Sequence, residues 1–136
     1  MKSLKNTVCY KLMIMIDQIH NHSKKKFQEI GITYGNYVTM LFIHENPGIS
    51  QASLADLNHK DRCVIGQIID KLEEKQYVER VRVKKDRRAY TLYLTEDGEK
   101  IIEEYWNILL GGELALFGKI SDEEKELFCN IIDKLL

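Results

Sequence analysis

Residues 50–95 read SQASLADLNHKDRCVIGQIIDKLEEKQYVERVRVKKDRRAYTLYLT, and the succession of patterns in this stretch decides the fold. Ser50 suits the N-cap of a short helix through Leu57, because its hydroxyl accepts from an amide that the first turn leaves unpaired. Ile49, Leu54 and Leu57 supply that helix with apolar contacts. Asn58-His59-Lys60 makes a turn, and Asp61 caps a longer helix reaching about residue 75. There Ile65, Ile68, Ile69 and Leu72 follow the i, i+3, i+4, i+7 spacing of one buried face. Arg62, Cys63, Gly66, Gln67, Asp70 and Lys71 occupy the other face. Residues 77–83 and 89–94 then alternate, with Val78, Val81 and Val83 among charges and with Tyr90, Leu92 and Leu94 on one side. The polar tip Lys84-Lys85-Asp86-Arg87-Arg88 joins them, which is the pattern of a β-hairpin.

A helix-turn-helix followed by a cation-tipped hairpin fits a reading helix in the DNA major groove and a hairpin astride the adjacent backbone or minor groove. The residues this places at DNA are Ser50, Gln51, Lys60, Arg62, Cys63, Gly66, Gln67, Lys71, Lys84, Lys85, Arg87 and Arg88. The overall charge of −1 argues against a nucleic-acid partner, but its distribution argues for one. Residues 75–90 carry seven Lys/Arg against Glu79 and Asp86, whereas residues 95–136 carry eleven acids against four bases. A concentrated positive patch is what phosphate neutralisation and counterion release require.

Outward from this module the chain is helical. Residues 4–28 place Leu4, Val8, Leu12, Met15, Ile16 and Ile19 along one long helix that ends near three lysines and Gly31. Thr33 suits the N-cap of a helix over Tyr34–Glu45, which Asn46-Pro47-Gly48 closes. After the hairpin, Thr95-Glu96-Asp97 starts a helix carrying Ile101, Ile102, Tyr105, Trp106 and Leu109, and Gly111-Gly112 is expected to loosen it. Ser121-Asp122-Glu123-Glu124 is a capping box opening a last helix. The expected fold is mainly α with a small β-hairpin wing (α+β). A winged helix-turn-helix spans 33–95, a dimerisation helix 1–32, and further dimerisation helices 96–136. The terminal helices are more apolar than one copy can cover. Leu4, Val8, Leu12, Leu127, Phe128, Ile131, Ile132 and Leu135 therefore point to a homodimer, whose two-fold symmetry sets two reading helices ~34 Å apart on a near-palindromic double-stranded operator.

Composition bounds the alternatives. A chain of 136 residues, 44% hydrophobic and 30% charged, is that of one globular module. No apolar run reaches the roughly 18 residues that cross a bilayer, and the start has no cleavage signal, so a cytoplasmic protein without a membrane partner is expected. Cys9, Cys63 and Cys129 give neither a disulfide framework nor a CxxC site. His20 and His22 would face opposite sides of a helix, so neither a metal nor a cofactor is expected. The chain lacks a Gly-rich phosphate loop, HExxH and GxSxG, which argues against an enzyme. Met13, Met15, Met40 and the aromatics read as core. A winged-helix protein–protein adaptor without DNA binding is the competing reading, on the weakly polar run from Cys63 to Gly66.

Several motifs carry a family resemblance: Asn46-Pro47-Gly48-Ile49-Ser50-Gln51, Leu54-Ala55, Asp70-Lys71-Leu72-Glu73-Glu74-Lys75, Val78-Glu79-Arg80, Asp86-Arg87-Arg88-Ala89 and Leu94-Thr95-Glu96-Asp97-Gly98. Together the chain resembles the MarR (multiple antibiotic resistance regulator) family over about residues 32–100 by motif, and over nearly its whole length by element order. The resemblance implies a dimeric winged-helix transcription regulator, often a repressor released by a small ligand, for example a phenolic compound or an oxidant. It implies that Arg88 reaches the minor groove while Asp86 holds the wing. Two departures stand out. Cys63, Val64 and Gly66 replace small polar residues of the reading helix, leaving Arg62 and Gln67 as its chief base-edge donors. Gln76 replaces a helix-ending glycine. Cys9, with Tyr34 downstream, is similar to the peroxide-sensing branch of the family, the organic hydroperoxide regulators, in which a first-helix cysteine is oxidised. A small hydrophobe packed in a helix face is the plainer reading of Cys9.

Overall fold

The computed structural model describes residues 2–86 and 89–136. Its elements run α1 (Val8–Glu29), α2 (Tyr34–Glu45), β1 (Ile49–Ser50), α3 (Gln51–Leu57), α4 (Arg62–Glu74), β2 (Val78–Arg82), β3 (Tyr90–Leu94), α5 (Glu96–Phe117) and α6 (Asp122–Leu135). Two compact units result, Phe27–Trp106 and Met1–Lys26 with Asn107–Leu136.

The first unit is a winged helix. Its core is Tyr37, Met40 and Ile43 of α2, Leu54 and Ala55 of α3, Ile65, Ile69 and Leu72 of α4, and Val78 and Leu92 of the sheet, all buried. Thr33 caps α2 as expected, accepting from the Asn36 amide at 3.1 Å while the Asn36 side chain accepts from the Thr33 amide. Phe27 stacks on Tyr105 with ring centroids 5.6 Å apart and leans on Tyr37 at 5.1 Å. The Tyr37 hydroxyl donates to the Ile102 carbonyl at 2.7 Å, and burial pushes its phenol up to about 12. The sheet has three strands, not the two of the expected hairpin. Ile49 and Ser50 pair antiparallel with Leu92 and Thr91, so Ile49 is a strand residue as well as a neighbour of α3. Val81 faces away from Val78 and is exposed, since successive strand residues alternate sides.

The second unit corrects two expectations. Residues 4–28 do not form one helix: Leu4–Asn6 is a 3-10 turn, and α1 starts at Val8. Thr7 is the reason, because its hydroxyl donates to the Leu4 carbonyl at 2.7 Å and accepts from the Tyr10 amide at 3.2 Å, a local cap that outcompetes helix continuation. Nor do Gly111 and Gly112 loosen α5, which runs unbroken to Phe117. A Cβ on Gly112 would collide with the Ile19 carbonyl, and one on Gly111 would press on the His22 ring. Close approach of α1 and α5 overrides the low helix propensity of glycine. At α6, Ser121 and Glu124 form the expected capping box. Phe128 turns inward against Phe117, with ring centroids 5.6 Å apart. Met13 is well exposed, so it is not core of this unit.

Candidate nucleic-acid interface

The connection between α3 and α4 is a tight turn built from its own polar groups. Asn58 donates its amide to the Leu54 carbonyl, and the Lys60 amide donates to Ala55 at 3.0 Å. His59 takes up the left-handed conformation, with φ 50°, a feature the sequence pattern did not reveal. The Asn58 side chain also donates to the Thr39 hydroxyl at 2.7 Å, anchoring the turn to α2. Asp61 then caps α4 by accepting from the Cys63 amide at 2.7 Å. With Ile65, Ile69 and Leu72 fixed in the core, Arg62, Cys63, Gln67 and Lys71 are exposed on the opposite side of α4.

The expected DNA residues divide by element. Ser50 caps α3 by accepting from the Ser53 amide at 3.1 Å, and it is half-buried together with Gln51. Lys60 and Arg62 are exposed at the start of α4, and Lys84 and Lys85 are exposed at the wing turn. Gly66 lies beside the Gln51 side chain, so α3 and α4 meet closely there. A groove of about 740 Å³ opens between these elements, lined by Ser50, Gln51, Arg62, Glu73, Arg80 and Tyr90 among others. Arg87 and Arg88, including the expected minor-groove contact, lie outside the described residues. The Asp86 amide donates to the Val83 carbonyl at 3.2 Å, and its own carbonyl accepts from Ala89 at 3.2 Å, which shapes the wing turn.

The positive patch is smaller than residue counting implies. Arg80 donates to Asp70 at 2.7 Å, to Glu73 at 3.2 Å and to the Gly66 carbonyl at 3.3 Å. Its charge is therefore spent on fastening β2 to α4. The end of the Lys75 side chain lies over Gly31, and both line a separate recess with Lys71, Glu74 and Tyr77. Arg82 packs on the Tyr90 ring with its guanidinium 5.6 Å from the centroid, and donates to the Tyr90 hydroxyl at 3.1 Å. Among the described residues, Arg82, Lys84 and Lys85 remain to present charge along the wing. Arg80 as a positioning residue went unrecognised in the sequence; the acids one and two turns back along α4 are the signal that could have found it.

Cys9 is exposed on the first turn of α1, and Tyr34 is half-buried with its ring edge-on to Phe27 at 6.2 Å. Cys63 and Cys129 are also exposed. No group of three or more His, Cys, Asp or Glu among the described residues is arranged to hold a metal ion, and no helix among them is long and apolar enough to cross a membrane.

Comparison with known proteins agrees with this geometry. The family model described as Transcriptional regulator SarA/Rot matches residues 18–105. The HTH-type transcriptional regulator BilQ of Clostridium symbiosum (strain WAL-14163) is 27% identical over 97% of this chain and 92% of its own length. A crystal structure of MarR superposes with a TM-score of 0.86 at 27% identity, covering 99% of this chain and 92% of that one. The S. aureus MepR–DNA complex superposes with a TM-score of 0.87 at 21% identity, covering 95% and 96%, and shares the fold. These relatives are regulators of transcription, not enzymes. The chain belongs to the SarA/Rot family of transcriptional regulators, and it is a winged-helix regulator of the MarR type.

Proposed function

We propose that two copies of this chain bind a near-palindromic operator in double-stranded DNA, repress transcription there, and release it when a small ligand binds. Each copy lays the exposed face of α4 in a major groove and its wing along the adjacent backbone. The observation that carries this reading is the combination of Arg62, Gln67 and Lys71 exposed on α4 with Lys84 and Lys85 exposed on a wing braced to that same helix through Arg80. Gln67 offers a donor and an acceptor for base edges, while the lysines suit phosphates. Pairing of two copies is supported by apolar residues left exposed in the unit containing both termini: Leu4, Val8, Leu12, Leu127, Ile131 and Leu135. Single exposed apolar residues are ordinary, but Val8 and Leu12 recur at helical spacing on α1 and Leu127, Ile131 and Leu135 on α6, which is the pattern of an apolar helix face left without cover.

The test is selection of bound fragments from genomic DNA, followed by titration of the recovered duplex. Two protomers bound per near-palindromic fragment is the expected result. Competition by no duplex of any sequence at low salt would favour the adaptor reading instead. Gln67→Ala should change the preference between related fragments, since one good base pairing discriminates by about 1–3 kcal/mol.

A further inference from the structure

A second groove of about 740 Å³ lies within the winged-helix unit, away from the DNA-facing residues in sequence and composition. Leu41, Ile102 and Trp106 give it an apolar lining, and Glu45, Glu96, Glu99 and Glu103 surround them with carboxylates. Trp106 is the only tryptophan of the chain and is 45% exposed, unusual for so large an apolar side chain. We infer that this groove between α2 and the first half of α5 binds a lipophilic organic cation, and that this cation is the effector of the DNA-binding function proposed above, on which the effector role rests.

Charge and shape both argue for that class. His44 is held to Glu99 at 2.6 Å, and Lys100 sits 3.8 Å from Glu96. Glu45 and Glu103 have no ion-pair partner among the described residues, so the lining keeps a surplus of negative charge. An aromatic carboxylate or phenolate would meet repulsion there. A bare divalent ion does not suit the site either, because no metal-holding group of acids and histidines exists among the described residues. A cation carrying its own apolar body satisfies both halves of the lining. Its charge faces the carboxylates and the Trp106 ring face, where the ring quadrupole attracts positive charge, and its body covers Leu41 and Ile102. The volume falls within the range of small-molecule sites.

Trp106 makes the inference directly measurable in the chain as it stands. Tetraphenylphosphonium and tetraphenylborate have nearly the same size and shape and opposite charge. Saturable quenching of Trp106 fluorescence by tetraphenylphosphonium, with no saturable response to tetraphenylborate, is the expected result. The double variant Glu45→Gln, Glu103→Gln should weaken the cation at least tenfold, while Glu123→Gln on α6 leaves it unchanged. Absence of saturation, an equal response to the borate, or an unaltered affinity in the double variant would each overturn the site. In a parallel arm, fluorescence anisotropy of the selected duplex should report at least a threefold loss of DNA affinity on adding tetraphenylphosphonium. Unchanged DNA affinity with the groove occupied would overturn the effector role. Failure of the chain to bind any duplex would instead defeat the DNA-binding reading, with groove binding still read from Trp106.

Discussion

The Arg80 guanidinium meets the Asp70 carboxylate at 2.7 Å, joining β2 to α4 across ten positions of sequence. The same side chain reaches Glu73 and the Gly66 carbonyl, and only 17% of it is exposed. The two carboxylates stay in solvent, so each ion pair by itself contributes little. The value of Arg80 lies in one largely covered side chain tying two carboxylates and a backbone carbonyl of α4 to β2. The wing is thereby aimed by α4 itself.

On the DNA-binding reading proposed above, residues that carry charge to DNA are distinct from those that aim it. Lys84→Ala should lower the slope of log affinity against log salt by about 0.9, because one phosphate contact is lost. Arg80→Ala should weaken binding roughly tenfold and leave that slope unchanged, since its charge is already neutralised within the protein. It should also cost about 1 kcal/mol of stability, since its carboxylate partners are solvent-screened and the remaining loss is the bond to the Gly66 carbonyl. Arg80→Lys should restore little, because an ammonium cannot reproduce the planar fork. Anisotropy titrations across salt concentrations, with denaturant unfolding of the same variants, check all three.

Gln76 follows α4 with φ 64°, a conformation that glycine adopts without cost. Its amide still donates to the Glu73 carbonyl at 2.9 Å, and its carbonyl accepts from the Thr95 hydroxyl at 2.5 Å. Gln76→Gly keeps both backbone bonds and removes the Cβ clash. Relief of about 1–2 kcal/mol of left-handed strain, offset in part by glycine's greater freedom when unfolded, leaves a gain of roughly 0.5 kcal/mol. A small rise in the urea midpoint with an unchanged m-value is the expected reading; a fall would mean the glutamine side chain contributes packing that outweighs the strain.

Tyr37 gives a pH dependence with a definite sign. Its phenol ionises near the ordinary 10 in the unfolded chain and near about 12 in the folded one. The folded state thus holds its proton longer, so the associated stability is fully present below pH 10 and is lost as pH rises towards 12. Tyr37→Phe should cost about 1 kcal/mol at neutral pH through the missing bond to Ile102. Above pH 10 the parent should lose stability faster than Tyr37→Phe, and the gap between them should close. Unfolding curves measured in pairs from pH 7 to 12 test this.

Gly112→Ala probes the crossing of α1 and α5. On an isolated helix the change would be favourable by about 1 kcal/mol. Here the added methyl meets the Ile19 carbonyl, which is backbone and cannot swing away. Destabilisation of about 1–3 kcal/mol by overpacking is expected, measured as a lower thermal midpoint. A raised midpoint would mean that the helices separate without penalty.

What could be read from the sequence was chemistry confined to a few neighbouring residues. Thr33, Ser50, Asp61 and Ser121 each cap a helix as expected, because a cap bond spans two or three positions. The buried stripe of Ile65, Ile69 and Leu72 was equally local. Features that depended on distant partners were missed. Ile49 and Ser50 have no strand pattern of their own and pair only because Leu92 and Thr91 arrive beside them. Gly111 and Gly112 looked like a break until Ile19 and His22 explained them. At the candidate interface, counting charges over residues 75–90 found the right region but could not see that Asp70 and Glu73 claim Arg80. The carboxylate-lined groove around Trp106 went unseen for the same reason, as its halves lie on α2 and α5.

The short strand Ile49–Ser50 has a mechanical corollary. Ser50 is paired with Thr91 of the central strand on one side and holds the first turn of α3 through the Ser53 amide on the other. A tilt imposed on the hairpin stem is therefore transmitted into α3 at its very first residue, as through a welded bracket. The hairpin stem and α3 turn together, and a change of groove width met by the wing would be felt at the start of the helix-turn-helix.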